Sequence, residues 1–140
     1  METRDSVTPK LLLIGIPLEW QSDMTPSLEN EQFVTMFSAS KDDAIRIIQS
    51  SELSAVIITS DLVFDDDTRQ DIITLTYGKI PTLTIILRET IEKFGQGKVF
   101  GKVYNTKAFQ EFCTAPFSME ELIPRLRKII EKAKNSSLQQ

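Results

Sequence analysis

Histidine is absent from all 140 residues, and cysteine and tryptophan occur once each, as Cys113 and Trp20. The first absence removes the commonest general base, the commonest metal ligand and the usual partner of a serine or cysteine nucleophile. A single cysteine cannot form an internal disulfide, and Cys113, set in an apolar run, reads as a small buried hydrophobe and not as a redox thiol. Positive charge is in short supply too, with 16 Lys and Arg against 20 Asp and Glu. Nucleic-acid binding needs basic residues gathered on one face, so a net charge of −4 argues against it. The one basic cluster, Arg125, Arg127, Lys128, Lys132 and Lys134, is expected near a helix C-terminus, where cations complement the dipole. Apolar runs such as Leu11 to Ile14 and Ala55 to Ile58 fall far short of the roughly 18 to 20 residues that span a bilayer. No N-terminal stretch has the charged, apolar, small-residue order of a secretory signal, so a cytoplasmic location with no membrane contact is expected.

What remains is ordinary globular material, 41% hydrophobic and 26% charged, of a length that suits one domain with a real core. Residues 1–9 read as a polar arm, 10–132 as the domain and 133–140 as a polar tail or linker. KLLLIGI, Lys10 to Ile16, is a continuous apolar run of the kind that forms a strand buried on both faces. Residues 17–32 contain Thr25-Pro26 and no sustained helical stripe, so any helix there is expected to be short or irregular. Phe33 to Phe37 reads as a second strand. Ser40 then caps a helix carrying Ala44, Ile45, Ile47 and Ile48 and ending near Ser50.

Leu53 to Thr59 is a third strand, followed by a helix that opens in Asp65 to Asp67 and closes at Gly78. Ile80 to Leu87 is a fourth strand, with Pro81 tolerable at its start. Residues 88–108 lose the pattern and predict a poorly formed helix or a long mobile loop. GQGKVFG within them lacks the Gly-Lys-Ser/Thr ending of a phosphate loop. Phe109 to Thr114 is a fifth strand. Ser118 with Glu121 makes a capping box before a last helix striped by Leu122, Ile123, Leu126, Ile129 and Ile130, which Pro124 is expected to kink. Strands alternating with helices imply a doubly wound five-stranded parallel sheet of the flavodoxin type, with irregular first and fourth helical segments. Sites in such sheets lie outside the carboxyl ends of the strands.

The terminal stretch FCTAPFSMEELIPRLRKII resembles the last strand and helix of the receiver domains of response regulators, the CheY-like family, and the order of elements is similar over most of residues 10–132. The resemblance implies two-component signalling and a set of site positions. Receivers hold Mg²⁺ on two acids after the first strand, accept a phosphoryl group on an Asp ending the third, close over it with a Ser or Thr ending the fourth, and pair it with a Lys before Pro. At those positions stand Gly15 and Ile16, Thr59, Ile86 and Ala115. Neither Gly15 nor Ile16 brings a side-chain oxygen to a hard cation. The family's switch aromatic corresponds to Phe112.

These departures lead to the expectation of a degenerate receiver, not an enzyme and without metal or other cofactor. It would act through a protein partner or effector domain, or as a homodimer, through the fourth-helix, fifth-strand, fifth-helix face with Phe112 at its edge. One alternative is a receiver weakly phosphorylated on Asp61 with Mg²⁺. Another is a small-molecule sensor whose vacated pocket is lined by Gly15, Ile16, Thr59 and Ala115. Asp61, Asp65, Asp66 and Asp67 otherwise read as a solvated helix cap, and Thr59 and Ser60 as hydroxyls bonding local backbone. Trp20, Phe94, Phe100 and Tyr104 either cover the core or anchor a partner.

Overall fold

The computed structural model describes residues 8–38, 40–63, 66–76, 79–103 and 110–138. The apolar runs form strands β1 (Lys10–Ile14), β2 (Val34–Ser38), β3 (Ala55–Thr59), β4 (Thr82–Ile86) and β5 (Gln110–Thr114), paired in parallel in the order β2-β1-β3-β4-β5. Around them lie helices α1 (Leu18–Asn30), α2 (Lys41–Ser50), α3 (Ser60–Val63), α4 (Asp66–Thr76), α5 (Arg88–Phe94), α6 (Gln96–Val103) and α7 (Met119–Leu138).

The continuous apolar runs are explained by the two faces they serve, since successive side chains of a strand point to opposite sides. Leu11, Leu13, Ala55, Ile57, Leu83 and Ile85 pack with Met24 and Leu28 of α1 and Leu122, Leu126 and Ile129 of α7. The alternate positions Leu12, Ile14, Val56 and Ile58 pack with Ala44 and Ile48 of α2 and Ile72 of α4. A third, smaller cluster joins Ile86 to Val99 of α6, with Ile91, Phe94 and Phe112 against it. Helices therefore cover both faces of the sheet, as the alternation of elements requires. Among the described residues, no helix is long and apolar enough to cross a membrane.

Two helical expectations need correction. Residues 18–30 form one 13-residue helix that runs through Pro26. Its stripe is narrow, Trp20, Met24 and Leu28 at four-residue spacing, and burial of that stripe offsets the bond lost at Pro26. The last helix does not end before the polar tail. It continues through residues 133–138, because nothing after Pro124 breaks it and Asn and Ser cost only a few tenths of a kcal/mol each. Arg125, Arg127 and Lys128 are therefore mid-helix residues, and the dipole reading of the cluster fails for them. Arg125 and Lys128 both reach Glu111 on β5, at 3.5 Å, and Arg127 pairs with Glu31 at 2.8 Å and lies over the Phe33 ring.

The loosely patterned segment after β4 is two short helices, broken at Gly95, whose φ of +91° suits glycine. Ser40 and Ser118 act as caps: the Ser40 hydroxyl accepts from the Asp43 N–H and that of Ser118 from the Glu121 N–H. Asp65, Gly78 and Tyr104 lie outside the described residues.

Candidate functional site at the carboxyl edge of the sheet

Register decides which strand ends become neighbours. Ile14 pairs with Ile58, Thr59 with Ile85 and Ile86 with Thr114, so Gly15, Thr59, Ile86 and Ala115 stand in a row across four strands. The Ala115 N–H extends the row by donating to the Ile86 carbonyl at 2.8 Å. The row is not one cavity, because its side chains go to different places. Ile16 is buried in the α1/α7 cluster, against which Ala115 also packs, whereas Ile86 points into the α5/α6 cluster. Phe112 is half-buried against that same third cluster.

The middle of the row is closed by hydrocarbon. Gly15 has φ +75°, and a Cβ added there would lie 2.5 Å from Leu62 Cδ1 and 3.1 Å from Thr59 Oγ1. Leu62, on the single turn α3, thus occupies the space over the ends of β1 and β3. Beneath it Thr59 is 1% exposed, and its hydroxyl oxygen has no hydrogen-bond partner among the described residues. That differs from the expected local bond to backbone. The sequence pattern held no sign of Leu62, since only the fold of α3 brings it over Gly15. Asp61, its neighbour, is exposed.

Ser60 is a further residue that sequence reading placed wrongly. Instead of bonding nearby backbone, its hydroxyl donates to Thr90 Oγ1 at 2.9 Å and accepts from the Leu87 N–H at 2.8 Å. Both Ser60 and Thr90 are buried. The pair ties the exit of β3 to the start of α5, across 30 residues of chain. Ser60→Ala strands the part-buried Leu87 N–H and the buried Thr90 hydroxyl, and is expected to lower stability by about 2 kcal/mol in urea unfolding, with Thr90→Val costing about 1 kcal/mol. The double variant should cost less than the sum; strict additivity would mean that the Ser60–Thr90 bond contributes nothing.

Cys113, buried on β5, has its thiol pushed up to about 11, chiefly by burial and then by the charges of Glu121 and Glu111. A thiol held in its neutral form is inert toward oxidants, which agrees with its reading as a core residue.

No known protein-family description matches the sequence, and no curated protein does. Solved structures do match. The signal receiver domain of an HD domain-containing protein from Pseudomonas fluorescens Pf-5 superimposes with a TM-score of 0.73 at 16% identity, over 100% of this chain and 97% of that one. An adenylate cyclase from Rhodopirellula baltica gives 0.70 at 12% identity, over 95% of each chain. The receiver domain of a sensor histidine kinase from Pseudomonas aeruginosa, with a magnesium ion coordinated in its active-site cleft, gives 0.66 at 16% identity, over 89% of this chain and 99% of that one. The chain has the receiver fold. At these identities the likeness is one of backbone, and the chemistry must be argued from the side chains present.

Magnesium demands near-octahedral oxygen coordination that includes a carboxylate or two. Gly15 and Ile16 supply no side-chain oxygen, the Ile16 carbonyl already accepts from Gln21 Nε2 at 3.0 Å, and the Leu62 methyl stands over Gly15. The residues at these positions do not fit the ion.

Proposed function

We propose that this chain is a signalling module of receiver architecture that works without a phosphorylation cycle, through contact with a protein partner or an attached effector domain. The observation that carries the reading is the Gly15–Thr59–Leu62 contact, in which hydrocarbon and a neutral hydroxyl stand where phosphoryl transfer needs charge. A half-dismantled charged pocket would leave buried charges unpaired, and removing all of them together leaves a neutral edge that packs. The residues Gly15, Ile16, Thr59, Ile86 and Ala115 then serve as structure and not as a phosphoryl-binding pocket. The Ser60–Thr90 bond supports the same reading, because it fixes the start of α5 to β3 with no phosphoryl group involved. The face formed by α5, α6, β5 and α7, with Phe112 at its edge, is the proposed contact surface, and the cytoplasm the proposed location.

A titration with magnesium and beryllofluoride, a phosphoryl mimic, followed by amide NMR shifts, tests this. No saturable shift is expected at any concentration of the mimic. Saturable shifts at Gly15, Thr59 to Asp61 and Ala115, lost in Asp61→Asn, would sink the proposal and make exposed Asp61 a phosphoacceptor.

A further inference from the structure

We propose that the groove running beside α1 is a docking surface for a Lys- and Arg-rich segment that carries a bulky apolar anchor. This goes beyond the reading above and does not depend on it: the groove borders the start of α5 and one side of α7, which belong to the face proposed there, but it is argued from its own lining along α1 and uses none of the α6 surface.

The groove is built from three adjoining depressions of about 280, 220 and 530 Å³, the first two sharing Trp20 and Pro116 and the last two sharing Met119. It follows α1 from Glu19 to Glu31, roughly 18 Å along the helix axis, room for about three turns of a helix. Its floor is Trp20, Met24, Pro116, Phe117, Met119 and Ile123. Trp20 and Phe117 meet edge to face with centroids 5.5 Å apart, so the aromatic wall is braced in one geometry. Tryptophan and methionine are enriched where partners dock, the first as a rigid anchor and the second because its side chain adapts to what it meets.

The rim decides the charge of the occupant. Glu19, Asp23, Glu89 and Glu120 border the groove and form no ion pair among the described residues. Against these four carboxylates stands Arg88, while Arg127 at the far end is already held by Glu31. The rim is therefore net acidic over an apolar floor. It attracts a basic segment and repels an acidic one, while the floor rewards a bulky side chain that a merely basic segment lacks.

Trp20 is the only tryptophan in the chain, which makes its emission a reporter of this groove alone. The probes are three synthetic peptides of about 12 residues, slightly over three helical turns: an amphipathic Leu/Lys peptide, a Leu/Glu peptide of the same pattern, and a Lys/Ser peptide without anchors. The Leu/Lys peptide is expected to shift the emission to the blue saturably, and the other two to leave it unchanged. Neutralising the rim with Glu19→Gln, Asp23→Asn and Glu120→Gln together is expected to weaken that binding roughly tenfold. All three residues are exposed, so an unchanged amide spectrum outside the groove would confirm that the variant folds. No saturable shift, equal binding by the neutralised variant, or equal response to the Leu/Glu peptide would overturn the proposal. So would an emission shift that tracks the concentration of the protein itself, which would make a second copy of this chain the occupant.

Discussion

Gly15→Ala is expected to destabilise the fold by about 2–4 kcal/mol, through two separable effects. A left-handed backbone costs a residue with a Cβ roughly 1–2 kcal/mol, and the φ of +75° lies in that region. The remainder comes from the methyl group meeting Leu62 Cδ1 at 2.5 Å and Thr59 Oγ1 at 3.1 Å, which forces the Leu62 side chain off its seat. Leu62→Ala removes the Leu62 part of the second effect and leaves the Thr59 contact and the first effect in place, so the double variant should recover part of the loss and no more. Urea unfolding of the four proteins in that cycle checks it. A neutral Gly15→Ala, or a cycle with no coupling, would mean that Leu62 does not fill the cleft in solution, and the functional proposal would lose its main support. Gly15→Asp, which puts a carboxylate back where receivers carry one, meets the same obstacles with a larger side chain and should cost more.

The second large effect is expected in the helix that joins the two contact faces. Leu126→Ala should cost about 3–4 kcal/mol, because Leu126 is fully buried between α1 and the sheet and its loss leaves a cavity lined by groups that cannot all close in. Against a typical domain stability of about 5–15 kcal/mol this is a large share, and the urea midpoint should fall with little change in slope. Ile123→Ala, at a half-buried position on the groove floor, should cost much less. Equal costs at the two positions would contradict the placement of α7, and with it the groove.

Local chemistry was legible wherever a residue's role depends on its immediate neighbours in the chain. The strands followed from runs such as LLLI and AVII, since a sheet covered on both faces has no polar side to show. The caps at Ser40 and Ser118 followed because a cap bonds an N–H three residues away. The lack of carboxylates at Gly15, Ile16 and Thr59 needed only an alignment of strand ends. The failures share a cause. Trp20, Met24 and Leu28 make too thin a stripe to announce α1, and only the sheet and α7 beneath them make that stripe sufficient.

The ion pairs of Arg125, Arg127 and Lys128 depend on Glu111 and Glu31, which the chain alone does not place beside α7. Likewise the Ser60–Thr90 bond and the seat of Leu62 over Gly15 join residues tens of positions apart. Composition, periodicity and capping thus determined that this protein is a doubly wound sheet, and the receiver resemblance of its strand ends marked Gly15, Ile16, Thr59 and Ala115 as positions without charge. Which side chains fill the carboxyl edge, and where an acidic apolar groove opens beside α1, were decided by tertiary packing, because burial is a property of what an element packs against and not of its own sequence.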